Sequence, residues 1–361
     1  MSQKILIKVG TNVISKEDGT LDEKIMAEIV DQISQLKKQN LEIILITSGA
    51  VGAGKSLINL ADKNLGKNAD VIKRQILASA GQIKLMNLYL KFFGNHQYNC
   101  AQILVTKEDF RDRLHYLNMK NCLEALLKNE IVPVINENDV VSVTELMFTD
   151  NDELAGLIAA MLNVDTVIIL TNVDGIFDQN PNNEGAKLLN KIDHKTNLEE
   201  FISPDKSSFG RGGMLTKSRI AQKLSLLGIT THIANGKRKN ILLDLLKSSD
   251  SPATTFLPSK KLSSVKRWIA YSRGYEKGTV FINKCAEDII TSKSKAISLL
   301  PVGITKIEGD FEKGEIIKVK NEQGADIGFG MAQYSSEKAK EFLGQKGKRP
   351  LIHYDYFFLD L

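Results

Sequence analysis

Through about residue 245, short apolar runs alternate with longer amphipathic stretches, and this alternation leaves few folds open. Residues 4–9, 42–47, 98–105, 131–135, 166–170 and 230–234 have the length and apolar content of buried strands. Between them, residues 21–38, 70–93, 113–129, 153–162 and 216–227 carry helical periods. Strand and helix in strict alternation imply right-handed crossovers and a mostly parallel sheet sandwiched by helices, an α/β fold. Ligands of such a sheet bind at the carboxyl ends of its strands.

After that region the pattern changes. Residues 248–261 concentrate Ser, Pro, Thr and Lys without periodicity and read as a linker. Beyond them come short strand patterns with Gly-bearing turns and one helical piece near 336–343, which predicts a small β-rich domain. The expected division is a first domain at 1–255, a linker at 256–264 and a second domain at 265–355. A length of 361 residues suits two domains, and 42% hydrophobic with 25% charged residues is an ordinary globular composition. The chain enters an apolar strand at once and has no run approaching 18 apolar residues, so a cytoplasmic protein with no membrane partner is expected. Cys100, Cys122 and Cys285 are odd in number and widely spaced, which predicts small core residues and supports neither a disulfide framework nor a metal site.

Five polar clusters fall at or just past the predicted strand ends. Lys8 lies near the end of a strand that should be buried, where a lysine is costly unless it reaches water or meets an anion. A phosphate would satisfy it. Gly10 and Gly49 precede helix starts, and Gly212 and Gly213 precede the helix that carries Lys217, so backbone amides can face the same anion. Two lysines and three amide-rich turns suit one nucleotide triphosphate. Asn136, Asn138 and Asp139 follow one strand, and Asp150, Asn151 and Asp152 precede a helix. Capping accounts for Asp150 or Asn151. Six short polar side chains exceed what capping needs and suit a small zwitterion, with a carboxylate facing its ammonium and amides facing its carboxylate.

The segments KVGT, TSGAV, VPVINEND, DND and GGMLTK together resemble the glutamate 5-kinases of the amino acid kinase family over nearly the whole chain. The later segments KRWIA, SLLPVGI and FEKGEII resemble the PUA domain that many of those enzymes append. The resemblance implies ATP and Mg²⁺ as cofactors and transfer of phosphate to the γ-carboxylate of L-glutamate, the first step toward proline. It implies that Lys8 and Lys217 contact the ATP phosphates while Asp152 organises both, and that Ser48, Asn136, Asp139 and Asn151 hold glutamate. It places Gly10, Gly49, Thr171, Asn172 and the turn Arg211, Gly212, Gly213, Met214, Leu215, Thr216 and Lys217 around the nucleotide, with no metal-ligating residue. Asn172 and Arg211 depart from the residues usual at those positions. The resemblance also implies a homo-oligomer, dimer or tetramer, and coupling to glutamyl phosphate reductase.

Residues 49–56, GAVGAGKS, also satisfy the phosphate-loop pattern G-x-x-x-x-G-K-S. That reading leaves Lys8, Asn136, Asp139, Asn151 and Lys217 without work, whereas the kinase reading uses them and leaves Lys55 as a solvated helix residue. The alternatives are an aspartokinase or acetylglutamate kinase type, or an RNA-binding protein acting through the PUA-like tail. From Leu262 onward 16 Lys and Arg stand against 13 Asp and Glu, so strong RNA binding is not expected.

Overall fold

A computed structural model describes residues 2–59, 69–141, 148, 150–179, 183–193, 196–198, 213–247, 251–259, 264–271, 274–292 and 297–359. In chain order the first elements are β1 Lys4–Val9, α1 Thr11–Ile14, α2 Glu23–Lys37, β2 Glu42–Ile46, α3 Ala50–Lys55, α4 Ala69–Asn95 and β3 Cys100–Val105. Then come α5 Glu108–Arg111, α6 Arg113–Lys128, β4 Val132–Glu137, α7 Asn151–Leu162, β5 Thr166–Thr171, β6 Lys191–Ile192, α8 Met214–Leu226, β7 Thr230–Asn235, α9 Ile241–Lys247 and β8 Ala253–Phe256.

Eight strands form one sheet in the order β3-β4-β2-β1-β5-β7-β8-β6. Every pairing in it is parallel except β7 with β8. β1, β4 and β5 are buried along almost their whole length because both faces are covered, as a parallel sheet requires. β1 lies at the centre, with Lys8 in register with Ile46 on one side and Ile169 on the other. Strand order reverses around β1, since the chain builds β2, β3 and β4 on one side of it and β5 and β7 on the other. A crevice at the carboxyl ends of the strands follows from that reversal.

Two expectations need correction. The stretch read as a linker contains β8, which lies between β7, to which it is antiparallel, and the short edge strand β6. Its burial is set by neighbours far away in sequence, so local composition hid it. Two of the cysteines are not core residues: Cys122 and Cys285 are exposed, whereas Cys100 is partly buried and packs against the core.

The chain divides into two compact units, the first comprising residues 1–108 and 118–261, the second 109–117 and 262–361. The second holds a five-stranded sheet in the order β10-β9-β11-β12-β13, built from β9 Gly278–Ile282, β10 Ile304–Gly309, β11 Ile316–Asn321, β12 Asp326–Ala332 and β13 Ile352–Leu359. Val280, Ile317, Val319 and Ile352 fill its own core. The helical piece expected near 336–343 is Ser336–Glu341. Among the described residues no helix is long and apolar enough to cross a membrane.

Candidate active site

Lys8 leaves the carboxyl end of the central strand and is 4% exposed. Its Nζ meets Asp152 Oδ1 at 2.7 Å, and Lys217 Nζ meets the other oxygen, Oδ2, at 2.9 Å. One fully buried carboxylate therefore gathers two ammonium groups from positions more than two hundred residues apart. Burial works to raise the Asp152 carboxyl, but Lys8 and Lys217 outweigh it and hold the group below the usual carboxylate range.

Asp152 can do this because its neighbour takes the capping role. Asp150 is the N-cap of α7 and accepts from the backbone N–H of Asp152 and of Glu153, at 2.9 and 3.1 Å. The Asn151 and Asp152 side chains are thereby released to the site. Burial, followed by the Asp152 charge, pushes the Asp150 carboxyl up.

Asn151 binds the next part of the site. Its Nδ2 lies 2.8 Å from Thr47 O, 3.0 Å from Ser48 Oγ and 3.0 Å from Asn136 Oδ1, its two hydrogens shared among the three oxygens. Thr47 is itself fixed by Tyr89, whose hydroxyl lies 2.7 Å from Thr47 Oγ1. Asn136 Nδ2 donates to Gln82 Oε1 at 3.0 Å. Ser48, Asn151, Asn136 and Gln82 thus form one chain of polar groups leading away from the lysines.

Glu137 follows Asn136 at the end of β4, Asp139 comes two residues later, and both face α4. Arg74 of α4 pairs with Asp139, and its Nη2 lies 3.7 Å from Glu137 Oε2. Glu137 Oε1 accepts from Phe148 N at 3.0 Å. Burial first, and then the Asp139 charge, push the Glu137 carboxyl up to about 7. Burial also raises Asp139, against the pull of Arg74.

Helices α1, α3 and α8 begin at Gly10, Gly49 and Gly213, and no side chain caps any of the three. Backbone donors at these ends are suited to phosphate oxygens. Gly10 sits where a Cβ would lie 3.1 Å from Leu170 O and 3.7 Å from Lys8 Nζ. Met214, Leu215 and Thr216 lie in the first turn of α8 ahead of Lys217. Thr171 ends β5, and its hydroxyl donates to the Asn172 side chain at 3.3 Å. Arg211 and Gly212 lie outside the described residues.

The phosphate-loop match has a different physical basis. Gly49 has φ +101°, a Cβ on Gly52 would lie 2.6 Å from Gly19 O, and one on Gly54 would lie 1.9 Å from Leu77 O. Gly49 serves its left-handed backbone, while Gly52 and Gly54 are there because backbone passes against backbone, Gly52 against Gly19 and Gly54 against α4. Lys55 is exposed, and Ser56 Oγ donates to Ala53 O at 2.6 Å at the end of the helix.

Sequence reasoning passed over Arg74, Gln82 and Glu137. The signal for Gln82 was present: it lies between Ala78 and Leu85, both buried, on the inward stripe of α4, where a polar residue needs a reason. Glu137 was visible in the VINEND run, but nothing local showed that Arg74 would face it.

The amino acid kinase family model matches residues 3–235, and the PUA domain model matches residues 278–353. A glutamate 5-kinase from Chlorobaculum tepidum is 52% identical over 358 residues, covering 99% of this chain and 97% of the relative. A glutamate 5-kinase from Bacteroides thetaiotaomicron is 49% identical over 359 residues, covering 99% and 98%. Among solved structures, carbamate kinase from Giardia lamblia bound to AMP-PNP superposes with a TM-score of 0.52 at 17% identity, covering 72% of this chain and 99% of its own. An isopentenyl phosphate kinase substrate complex gives 0.51 at 18% identity, covering 70% and 99%. These two establish the fold of the first unit alone, whereas the family model and the two full-length relatives establish descent: the chain belongs to the amino acid kinase family.

Proposed function

We propose that the chain transfers the terminal phosphate of ATP to the γ-carboxylate of L-glutamate, giving ADP and γ-glutamyl phosphate, the first step of proline biosynthesis. The observation that carries this reading is the Asp152 carboxylate holding Lys8 and Lys217 beside the Ser48, Asn151 and Asn136 network. Full-length relatives named as glutamate 5-kinases support the choice of acceptor.

The chemistry needs no general base, because a γ-carboxylate with an ordinary pKa of about 4.3 is already an oxyanion at neutral pH. The barrier lies in bringing that anion against phosphate oxygens. Positive charge held in place lowers it, without the cost of reorganising solvent during the reaction. Lys8 and Lys217 supply that charge, and Asp152 keeps their nitrogens aimed at one point. Ser48 and Asn151 hold the attacking carboxylate next to them. A bound Mg²⁺ would supply further positive charge beside the phosphates. The uncapped helix starts at Gly10, Gly49 and Gly213 fit the polyphosphate, and Thr171, Asn172 and the turn from Arg211 to Lys217 are assigned to the nucleotide.

Asp139 and Glu137 set two carboxyl groups against one guanidinium, and to this site we assign one more cation, the α-ammonium of the acceptor. We place the enzyme in the cytoplasm as a homo-oligomer that passes its labile acyl phosphate to the reductase of the next step. The test is ATP turnover with L-glutamate, the product trapped with hydroxylamine, beside L-aspartate, N-acetyl-L-glutamate and UMP. L-glutamate is expected to dominate. A preference for the N-acylated acceptor would transfer the assignment to the acetylglutamate kinase type.

A further inference from the structure

We propose that Gln82 is a specificity-determining residue that donates a hydrogen bond from Nε2 to the α-carboxylate of the acceptor, an inference that rests on the glutamate reading above. The starting point is an orphan. Gln82 is 9% exposed, its Oε1 accepts from Asn136 Nδ2 at 3.0 Å, and its buried Nε2 finds no acceptor among the described residues. A buried donor without a partner is costly, and native proteins rarely keep one without a use.

Backbone groups fix which end of each amide is which. Thr47 O can only accept, so the Asn151 nitrogen must face it, and the same nitrogen reaches Asn136 Oδ1. The backbone N–H of Glu137 can only donate, and it donates to that same Asn136 oxygen at 2.9 Å. Asn136 therefore turns its nitrogen to Gln82, and Gln82 must answer with its oxygen. The end of Gln82 left over is a donor. Its ligand has to be an acceptor.

Position then selects which acceptor. Asn151 adjoins Asp152 and its two lysines, so the reacting carboxylate belongs at Ser48 and Asn151. Gln82 lies one amide farther on, beyond Asn136, toward the amino-acid end of a glutamate molecule. That end carries an ammonium, which cannot accept, and a carboxylate, which can. The ammonium goes to Asp139 and Glu137, and the carboxylate goes to Gln82. Gly81 holds the residue in place: a Cβ there would lie 1.8 Å from Ala50 O, so α4 touches the first turn of α3 directly after the Ser48–Gly49 turn.

The experiment compares wild type, Gln82→Glu and Gln82→Met with L-glutamate and with 4-aminobutyrate, which lacks the α-carboxylate. Wild-type turnover of L-glutamate is read first; its absence would sink the glutamate reading itself and so separates the two failures. Given turnover, both variants are expected to raise KM for L-glutamate about 10- to 100-fold, the worth of a hydrogen bond to a charged group. KM for ATP should stay within about twofold, and kcat/KM for 4-aminobutyrate, or its Ki as an inhibitor, within about threefold. The proposal is overturned if KM for L-glutamate is unchanged in a variant that melts with wild type, or if the two acceptors lose equally. Gln82→Met guards against misfolding caused by a buried charge in Gln82→Glu, and thermal melts of both variants identify any loss of fold.

Discussion

Replacing Asp152 by Asn keeps the shape of the side chain and removes the charge that meets both lysines. At separations of 2.7 and 2.9 Å and an effective dielectric constant of about 20, each ion pair is worth roughly 6 kcal/mol before desolvation is subtracted. Burying the three ions cancels most of that, but the variant would keep two ammonium groups, 5% and 12% exposed, without this counter-charge. Stranding buried charge in this way costs about 3–5 kcal/mol. Urea denaturation at pH 7 should show that loss in the free enzyme. Added ATP should then narrow the gap between variant and wild type, because its phosphates return negative charge to the same two nitrogens. Turnover, read as ADP release, should fall about 10²- to 10³-fold, since the lysines lose their aim. A variant within about 1 kcal/mol of wild type and within about threefold in turnover would refute the idea that Asp152 organises the site.

Three further outcomes are expected. Glu137 is pushed up to about 7 from an ordinary 4.5, so the folded state favours its protonated form; that contribution is complete below about pH 4.5 and is lost as pH rises through about 7. Glu137→Gln should flatten this slope and gain up to about 3 kcal/mol over wild type at pH 8 in denaturant titrations, and an unchanged slope would count against it. Gly54→Ala places a methyl 1.9 Å from Leu77 O and should cost about 3 kcal/mol or more, whereas Lys55→Ala should leave KM for ATP within about twofold; a large ATP defect in Lys55→Ala would restore the phosphate-loop reading. Lys217→Ala should lower kcat with L-glutamate about 10²- to 10³-fold while the enzyme stays folded, as checked by circular dichroism, and normal turnover would exclude the residue from catalysis.

The sequence by itself determined the central strands and the longer helices of the α/β region. β1 runs over the residues that its apolar run marks, and α2, α4, α6, α7 and α8 start and stop within two residues of their periodic stretches. Periodicity is local, so it survives without knowledge of the rest of the chain. The polar groups gathered at the strand ends were legible for a similar reason: parallel topology sends every strand's carboxyl end to one edge of the sheet. At that edge Asn151 hydrogen-bonds Ser48 and Asn136, Lys8 reaches Asp152, and Lys217 reaches the same carboxylate from the helix that follows Gly213.

Only the tertiary structure decided which of those groups touch and what the rest of the chain adds. The sequence left Asp150 and Asn151 as rivals for one cap; the fold gave it to Asp150, which freed Asn151 for the amide chain. GAVGAGKS reads like a phosphate loop because glycine is required wherever backbone must pass close, and a one-dimensional pattern does not reveal whether a phosphate or another helix makes that approach. β8 hid in a stretch of Ser, Pro and Thr because a four-residue strand takes its burial from partners far away in sequence, here β7 and β6. Gln82 and Arg74 lie on a helix more than fifty residues before the β4 loop they face, and long-range pairing of that kind leaves no trace in local composition.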